Sequence, residues 1–158
     1  ANGWPTLESA HEELRQILRD GFALAAIQGD QVIGWIGGLP EYRDRVWELH
    51  PLVVHPNYRL RGVGRELVEA FEKEVSHRGG LTITLGTDDD SGSTSLSHCD
   101  LYSDLPDKMA ALTDLGKNHP FLFYKKLGFT VTGVLPDANG IGFPDIFMCR
   151  RVRPAGEK

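Results

Sequence analysis

The sequence predicts a single α/β domain, residues 1–158, built on a mixed sheet. Short apolar runs with the character of strands alternate with amphipathic segments of helical period. The clearest of these, Gly62–His77, lies between two strand-like runs, so those strands should pair in parallel through a right-handed crossover. Another two runs, Phe22–Gln28 and Gln31–Leu39, are separated only by Gly29-Asp30 and should form an antiparallel hairpin. A chain of 158 residues, 41% apolar, can also bury one core without disulfide staples.

Taken in order, Glu8–Arg19 puts Leu14, Ile17 and Leu18 on one face, which suits a helix with Ser9 or Thr6 near its start. The hairpin follows. Arg45–Val54 has the composition of a strand, but Pro51 cannot donate to a ladder, so the strand should break or bulge there. In Gly62–His77, Val63, Leu67, Val68, Phe71 and Val75 share a side, and Glu69 and Lys73 form an i,i+4 pair on the wet side. Arg78-Gly79-Gly80 ends that helix, and Leu81–Leu85 alternates as a strand. Asp88–Lys117, rich in Ser, Thr and Asp, reads as a long functional excursion with a short helix over Lys108–Leu115. Phe121–Leu127 reads as a short helix stopped by Gly128, and Phe129–Leu135 as a strand. Pro136–Phe143 is then a turn region around Asn139-Gly140, and Asp145–Val152 a last strand.

Composition narrows the function. A net charge of −5 argues against nucleic acid, whose binders carry clustered positive charge, and favours cationic partners where carboxylates gather, as they do at Asp88-Asp89-Asp90, Asp100, Asp104, Asp107 and Asp114. Cys99 and Cys149 read as reduced thiols of a cytoplasmic protein. No apolar stretch approaches the ~20 residues that span a bilayer, and the N-terminus lacks the order of a signal peptide, so a soluble protein without a membrane partner is expected. No zinc-ligand spacing and no G-x-S-x-G is present.

The informative cluster is Val54-His55-Pro56-Asn57-Tyr58-Arg59-Leu60-Arg61-Gly62-Val63-Gly64-Arg65, which ends a strand and opens a helix. Gly62 and Gly64 let backbone N–H groups approach an anion, the helix start adds partial positive charge, and Arg59, Arg61 and Arg65 add full charges. A pyrophosphate would fit, although an ordinary helix start with solvated arginines fits the same residues. Dinucleotide-binding and P-loop readings fail, because neither G-x-G-x-x-G nor G-K-[ST] occurs.

Arg59-Leu60-Arg61-Gly62-Val63-Gly64 resembles the R/Q-x-x-G-x-G/A loop of the GCN5-related N-acetyltransferases (GNAT), and Phe123-Tyr124-Lys125-Lys126-Leu127-Gly128-Phe129 resembles that family's helix ending in Y-x-K-x-G-F. Trp47–Val54, Leu85–Asp89, Thr94–Ser97, Asp100-Leu101-Tyr102, His119-Pro120, Leu135–Gly140 and Pro144-Asp145-Ile146 look like the aminoglycoside 6′-N-acetyltransferases. The likeness implies a GNAT fold, a mixed central sheet splayed between its central strands with flanking helices. As a departure, members of that family normally open with a further strand and part of a helix before the Trp-Pro found here at Trp4-Pro5, and this sequence is expected to lack them.

The same likeness implies acetyl-coenzyme A as co-substrate, no metal, a homodimer, and direct acetyl transfer to the 6′-amine of an aminoglycoside, an antibiotic-resistance activity. The alternatives are another amine (a polyamine, a small metabolite or a protein N-terminus) or a non-catalytic acyl-coenzyme A-binding module. Glu48 and His50, two apart, share the strand face opposite Trp47 and Leu49. The resemblance makes Glu48 the general base, working through water, and a counter-charge for the cationic acceptor; a solvent-facing strand glutamate is the plainer reading. His50 is as readily structural as catalytic.

A backbone N–H freed from the ladder by the bulge can receive the negative charge on the acyl oxygen, and the Leu52 N–H is the candidate, its side chain reading as core; by resemblance Tyr124 donates to the departing thiolate, a buried aromatic with a satisfied hydroxyl being the plainer reading. The implied cofactor contacts are Leu52, Val53, Val54, Arg59, Leu60, Arg61, Gly62, Val63, Gly64, Arg65, Asn118 and Tyr124. For the acceptor, Trp4 and Tyr42 offer flat rings, and Glu48, Asp88, Asp89 and Asp90 offer charge, the three aspartates standing at the C-terminal end of the Leu81–Thr87 strand. At least one of the three is expected to serve as a turn or cap residue, and Asp145 is a weaker acidic candidate.

Overall fold

The computed structural model describes residues 4–153. Along them run α1 (Leu7–Asp20), β1 (Phe22–Gln28), β2 (Gln31–Glu41), β3 (Val46–Val54), a 3-10 turn (Pro56–Tyr58), α2 (Val63–His77), β4 (Thr82–Asp88), α3 (Leu105–Ala110), α4 (Phe121–Lys126), β5 (Thr130–Leu135) and β6 (Asp145–Arg151). The six strands form one sheet in the order β1-β2-β3-β4-β6-β5. Two compact units are distinguished, one running to Ile83 and taking in the chain from Arg151, the other comprising Thr84–Arg150. Among the described residues no helix is long and apolar enough to cross a membrane.

In the first unit α1 opens on a capping box. The Thr6 side chain accepts from the Ser9 N–H at 3.1 Å and the Ser9 hydroxyl accepts from the Thr6 N–H at 3.2 Å, an arrangement that contributes about 1 kcal/mol. The hairpin closes with Gln28 opposite Gln31 around Gly29-Asp30. Between β2 and β3, Ile36 faces Leu52 while Gly38 faces Leu49, so Gly37 alone opposes His50 and Pro51. That is a β-bulge at the cis His50-Pro51 peptide, and it puts the residue that lacks a donor where the ladder is already interrupted. The strand bulges at Pro51 and does not break.

The two helices of this unit meet β2 on opposite faces. A Cβ at position 37 would lie 3.1 Å from Ile17 of α1 and 2.5 Å from the His50 carbonyl, whereas one at position 38 would lie 2.6 Å from the Phe71 ring of α2. Only glycine fits at either place. On the α2 side, Phe22 packs against Trp47 and Phe71 with ring centroids 5.2 and 5.1 Å apart, each such buried side chain stabilising by roughly 1.5–3 kcal/mol. The buried Glu72 carboxylate takes Arg153 Nη2 at 2.7 Å, which ties Arg153 to α2.

The second unit centres on buried Leu96, Leu101 and Ile146, with Leu105, Leu112, Val131 and Val134 against them. Its short helix lies at Leu105–Ala110, a correction to the expected Lys108–Leu115. Pro106 in the first turn starts it early, because a proline there forfeits no helical bond. Residues 113–115 are taken up otherwise: Ser95 N–H donates to Thr113 O, Leu115 N–H donates to Ser93 O, and Thr94 bridges Asp114. Strand β4 runs on to Asp88, beyond the Leu85 expected from alternation.

Candidate active site

In the first unit the chain leaves β3 through a turn held largely by its own groups. His55 Nδ1 accepts from the Asn57 N–H at 3.2 Å, Arg59 Nε donates to Val54 O at 3.2 Å, and the Arg61 guanidinium lies 5.6 Å from the Tyr58 ring centroid. Leu60 is fully exposed in the left-handed region, at φ 59°. Gly62 then caps α2 at φ 89° with no side-chain bond to the helix start, and the space where its Cβ would be is open to 4 Å. The result is a helix N-terminus in open space, flanked by the exposed arginines 59, 61 and 65. This is the chemistry a diphosphate requires, and the coenzyme A predicted from the sequence fits it. Val63 and Gly64 form the first turn behind the cap. Leu52, Val53 and Val54 pair with Ile36, Trp35 and Gly34 of β2.

Upstream on β3, Glu48 is partly buried between the buried Trp47 and Leu49. The strand alternation puts Glu48 on the face away from Trp47, whose ring packs on the α2 side. On the side of α1, His50 Nε2 lies 2.8 Å from Glu13 Oε1, an ion-pair contact without the alignment of a hydrogen bond. The other oxygen, Glu13 Oε2, accepts the Trp4 indole N–H at 2.7 Å. Trp4 stacks on Trp35 with centroids 6.1 Å apart and planes 16° apart. Glu13 was not foreseen from the sequence, since its position on an amphipathic helix marks only a polar side. Tyr42 is exposed at the start of three successive left-handed residues, Tyr42, Arg43 and Asp44, that turn β2 into β3.

In the second unit the three aspartates have separate fates. Asp89 is fully buried. Its Oδ1 accepts the Ser93 N–H at 2.6 Å, and its Oδ2 accepts the Thr94 N–H, the Thr94 hydroxyl and the Ser97 hydroxyl at 2.8, 2.7 and 2.5 Å. Burial would raise its pKa, but the bonds from Ser97, Ser93 and Thr94 outweigh it and hold the carboxyl below the usual range. This corrects its place among the acceptor contacts: a carboxylate with no exposed surface and four short bonds builds the turn. Asp88 is exposed, its Oδ1 accepting from Asn139 Nδ2 at 2.8 Å, and Asp90 is exposed beside it.

The approach to α4 is equally self-supporting. Asp114 accepts the N–H groups of His119, Asn118 and Gly116, bonds that hold its carboxyl below the usual range. The buried His119 accepts the Phe121 N–H on Nδ1 and so donates from Nε2 to Asp88 O at 3.0 Å. Asn118 is exposed at φ 56°. Tyr124 on α4 meets Phe123 and Phe129 edge-on. Part of it is exposed, yet burial pushes its phenol up to about 12. Asp145 opens β6 with its carboxylate close over Gly86 of β4, where a Cβ would stand 2.6 Å away.

Comparison with known proteins gives this geometry a context. A solved aminoglycoside 6′-N-acetyltransferase complexed with coenzyme A is 44% identical, covering 95% of this chain and 83% of that one, with a TM-score of 0.89. The aminoglycoside 6′-N-acetyltransferase from Enterococcus faecium is 45% identical over 98% of this chain and 86% of its own, also with a TM-score of 0.89. An aminoglycoside 6′-acetyltransferase type Ii is 39% identical over 93% and 79%, with a TM-score of 0.71. None of the curated proteins compared with the chain matches it. The model of the acetyltransferase (GNAT) family matches residues 2–97, which take in β3, the arginine turn and all of α2, and the chain belongs to that family.

Proposed function

We propose that this chain transfers the acetyl group of acetyl-coenzyme A directly to the 6′-amine of an aminoglycoside antibiotic, and so confers resistance. The observation that carries this reading is the likeness, at 44–45% identity over nearly the whole chain, to aminoglycoside 6′-N-acetyltransferases, one of them with coenzyme A bound. The uncapped start of α2 supports it from the chain's own geometry.

Acetyl-coenzyme A brings an acyl group activated as a thioester. The amides from Gly62 through Arg65 and the guanidinium groups of Arg59, Arg61 and Arg65 bind its diphosphate, with Leu60 and Val63 shaping the turn. Leu52, Val53 and Val54 offer strand backbone, and Asn118 and Tyr124 complete the cofactor contacts. An alkylammonium must lose a proton before its nitrogen can attack, and Glu48 accepts that proton through water. The Leu52 N–H donates to the acyl oxygen as charge develops there. Tyr124, whose phenol stays protonated far above neutral pH, donates its O–H to the leaving sulfur. Trp4, Tyr42, Asp88 and Asp90 give the polycationic acceptor flat rings and negative charge.

The test is a thiol-release assay with acetyl-coenzyme A and kanamycin, spermidine or a basic peptide. Turnover with kanamycin should stand well above the other two; equal rates would leave only an N-acetyltransferase of broader acceptor range. In Glu48→Gln, kcat should fall about 10²–10⁴-fold with coenzyme A affinity unchanged. Retained turnover would remove Glu48 as the base, and loss of coenzyme A binding would make it structural.

A further inference from the structure

We propose that His119 is a positioning residue for acetyl transfer: its imidazole latches the first amide of α4, the helix of Tyr124, to the last carbonyl of β4, which belongs to Asp88. The inference rests on the function proposed above, which gives Tyr124 the leaving sulfur and Asp88 the cationic acceptor. Phe121 N–H donates to His119 Nδ1 at 3.2 Å, and His119 Nε2 stands 3.0 Å from Asp88 O. A main-chain N–H only donates and a carbonyl only accepts, so Nδ1 carries the lone pair and Nε2 the proton. His119 is 3% exposed, so a bond lost there leaves its partner without water to replace it.

The ring is itself held in place. Asp114 Oδ1 accepts the His119 N–H at 2.8 Å, and Asp114 Oδ2 accepts those of Asn118 and Gly116 at 3.1 and 2.9 Å. Thr94, which binds the Asp89 carboxylate, bridges Asp114, so the hold runs back to the buried turn after β4. Downstream, the His119 carbonyl accepts the Leu122 N–H at 3.1 Å; α4 thus begins on two groups of one residue, while Pro120 at its cap gives no side-chain bond. Tyr124 follows within the next turn. On the strand side Asp88 is held twice, its carbonyl by His119 and its Oδ1 by Asn139 Nδ2 at 2.8 Å. A buried histidine satisfied at both nitrogens is ordinary in a core, and this one is set apart by the two elements it joins. The buried Phe121 also seats α4, but apolar packing is non-directional, whereas two hydrogen bonds set where the strand end stands against the helix start.

The two halves of the latch can be cut separately. His119→Asn sets an amide oxygen near the place of Nδ1 and falls short of Asp88, whereas His119→Gln sets an amide N–H near the place of Nε2 and leaves the Phe121 N–H without its acceptor. With kanamycin, His119→Asn should raise KM about two- to tenfold, the worth of one hydrogen bond, at nearly the parent kcat. His119→Gln should lower kcat roughly ten- to a hundredfold with KM near the parent value, because Tyr124 is displaced from the sulfur. Proton–nitrogen NMR without any substrate should show the amides of residues 88–90 moving in the first variant and those of residues 121–124 in the second. The unaltered ring should appear as the Nε2–H tautomer, with a nitrogen–nitrogen coupling across the bond from Phe121.

An Nδ1–H ring in the unaltered chain overturns the proposal. So does a lower Tm in both variants with kcat and KM at parent values, which is what a histidine serving stability alone would give. Should one variant fail to fold, the other decides; failure of both would make His119 a folding residue and end the proposal. The NMR arm needs no acceptor, so absence of kanamycin turnover in the unaltered chain would sink the assigned function while the tautomer and the two sets of amide shifts still test the latch.

Discussion

The turn into α2 holds three arginines within residues 59–65, and the turn out of β4 holds three consecutive aspartates, residues 88–90. In sequence the two are mirror images, dense clusters of one sign beside a regular element. In structure, the first leaves the helix start uncapped and Gly62 in open space, with Arg65 exposed. The second draws its middle aspartate wholly inside and surrounds it with four donors. What separates an open turn from a closed one is therefore whether the local backbone has already consumed the polar groups. The number of charges does not decide it.

The contrast is most sharply broken at Asp89. Asp89→Ala strands the Ser93 and Thr94 N–H groups and should cost about 3–5 kcal/mol, lowering Tm by roughly 10 °C. A melt within about 2 °C of the parent would mean that the carboxylate does not hold the turn. The pH dependence follows from the depressed folded pKa. The unfolded chain binds this proton at about pH 3.9 and the folded chain only below that. The stabilisation is thus full above the unfolded value and is lost as pH falls through the folded one. Acid unfolding of Asp89→Asn should accordingly be less steep on that limb.

Next in size is Gly62→Ala, which forces a Cβ into the left-handed region and should cost about 1–2 kcal/mol. Any coupling of that strain to the ligand would appear in calorimetry as up to about tenfold weaker coenzyme A binding. An unchanged affinity would show that the turn tolerates the strain without losing its grip. Arg65→Ala should leave stability within about 0.5 kcal/mol and weaken coenzyme A about fivefold, as expected of one exposed charge on a phosphate. The smallest effect belongs to Asp90→Ala. It should leave Tm unchanged and raise KM for kanamycin about two- to fivefold, and an unaltered KM would take Asp90 out of the acceptor contacts.

Elements dictated by short-range chemistry were legible beforehand. The two-residue Gly29-Asp30 turn, the apolar stripe of α2, the Thr6 start of α1 and the bulge at Pro51 each depend on residues within a turn or two of one another. The helix in the excursion was misplaced because Leu112 and Leu115 continue an apolar period that tertiary pairing overrides: residues 113–115 bond to residues 93–95. Pro106 was the available start signal. At the site, the arginine turn was readable as one contiguous motif. The burial of Asp89 was not, since it depends on residues 93–97 folding back over it, nor was Glu13, whose partners come from the segment before α1 and from a different strand.

The adjacent glycines of β2 have a mechanical consequence. At Gly37 and Gly38 the first unit is a single layer of bare main chain, with Ile17 resting on one side and the Phe71 ring on the other. Close-packed interiors transmit displacement where nothing soft intervenes, and here even the padding of a methyl group is missing. A displacement of α2 would pass straight through that layer to α1.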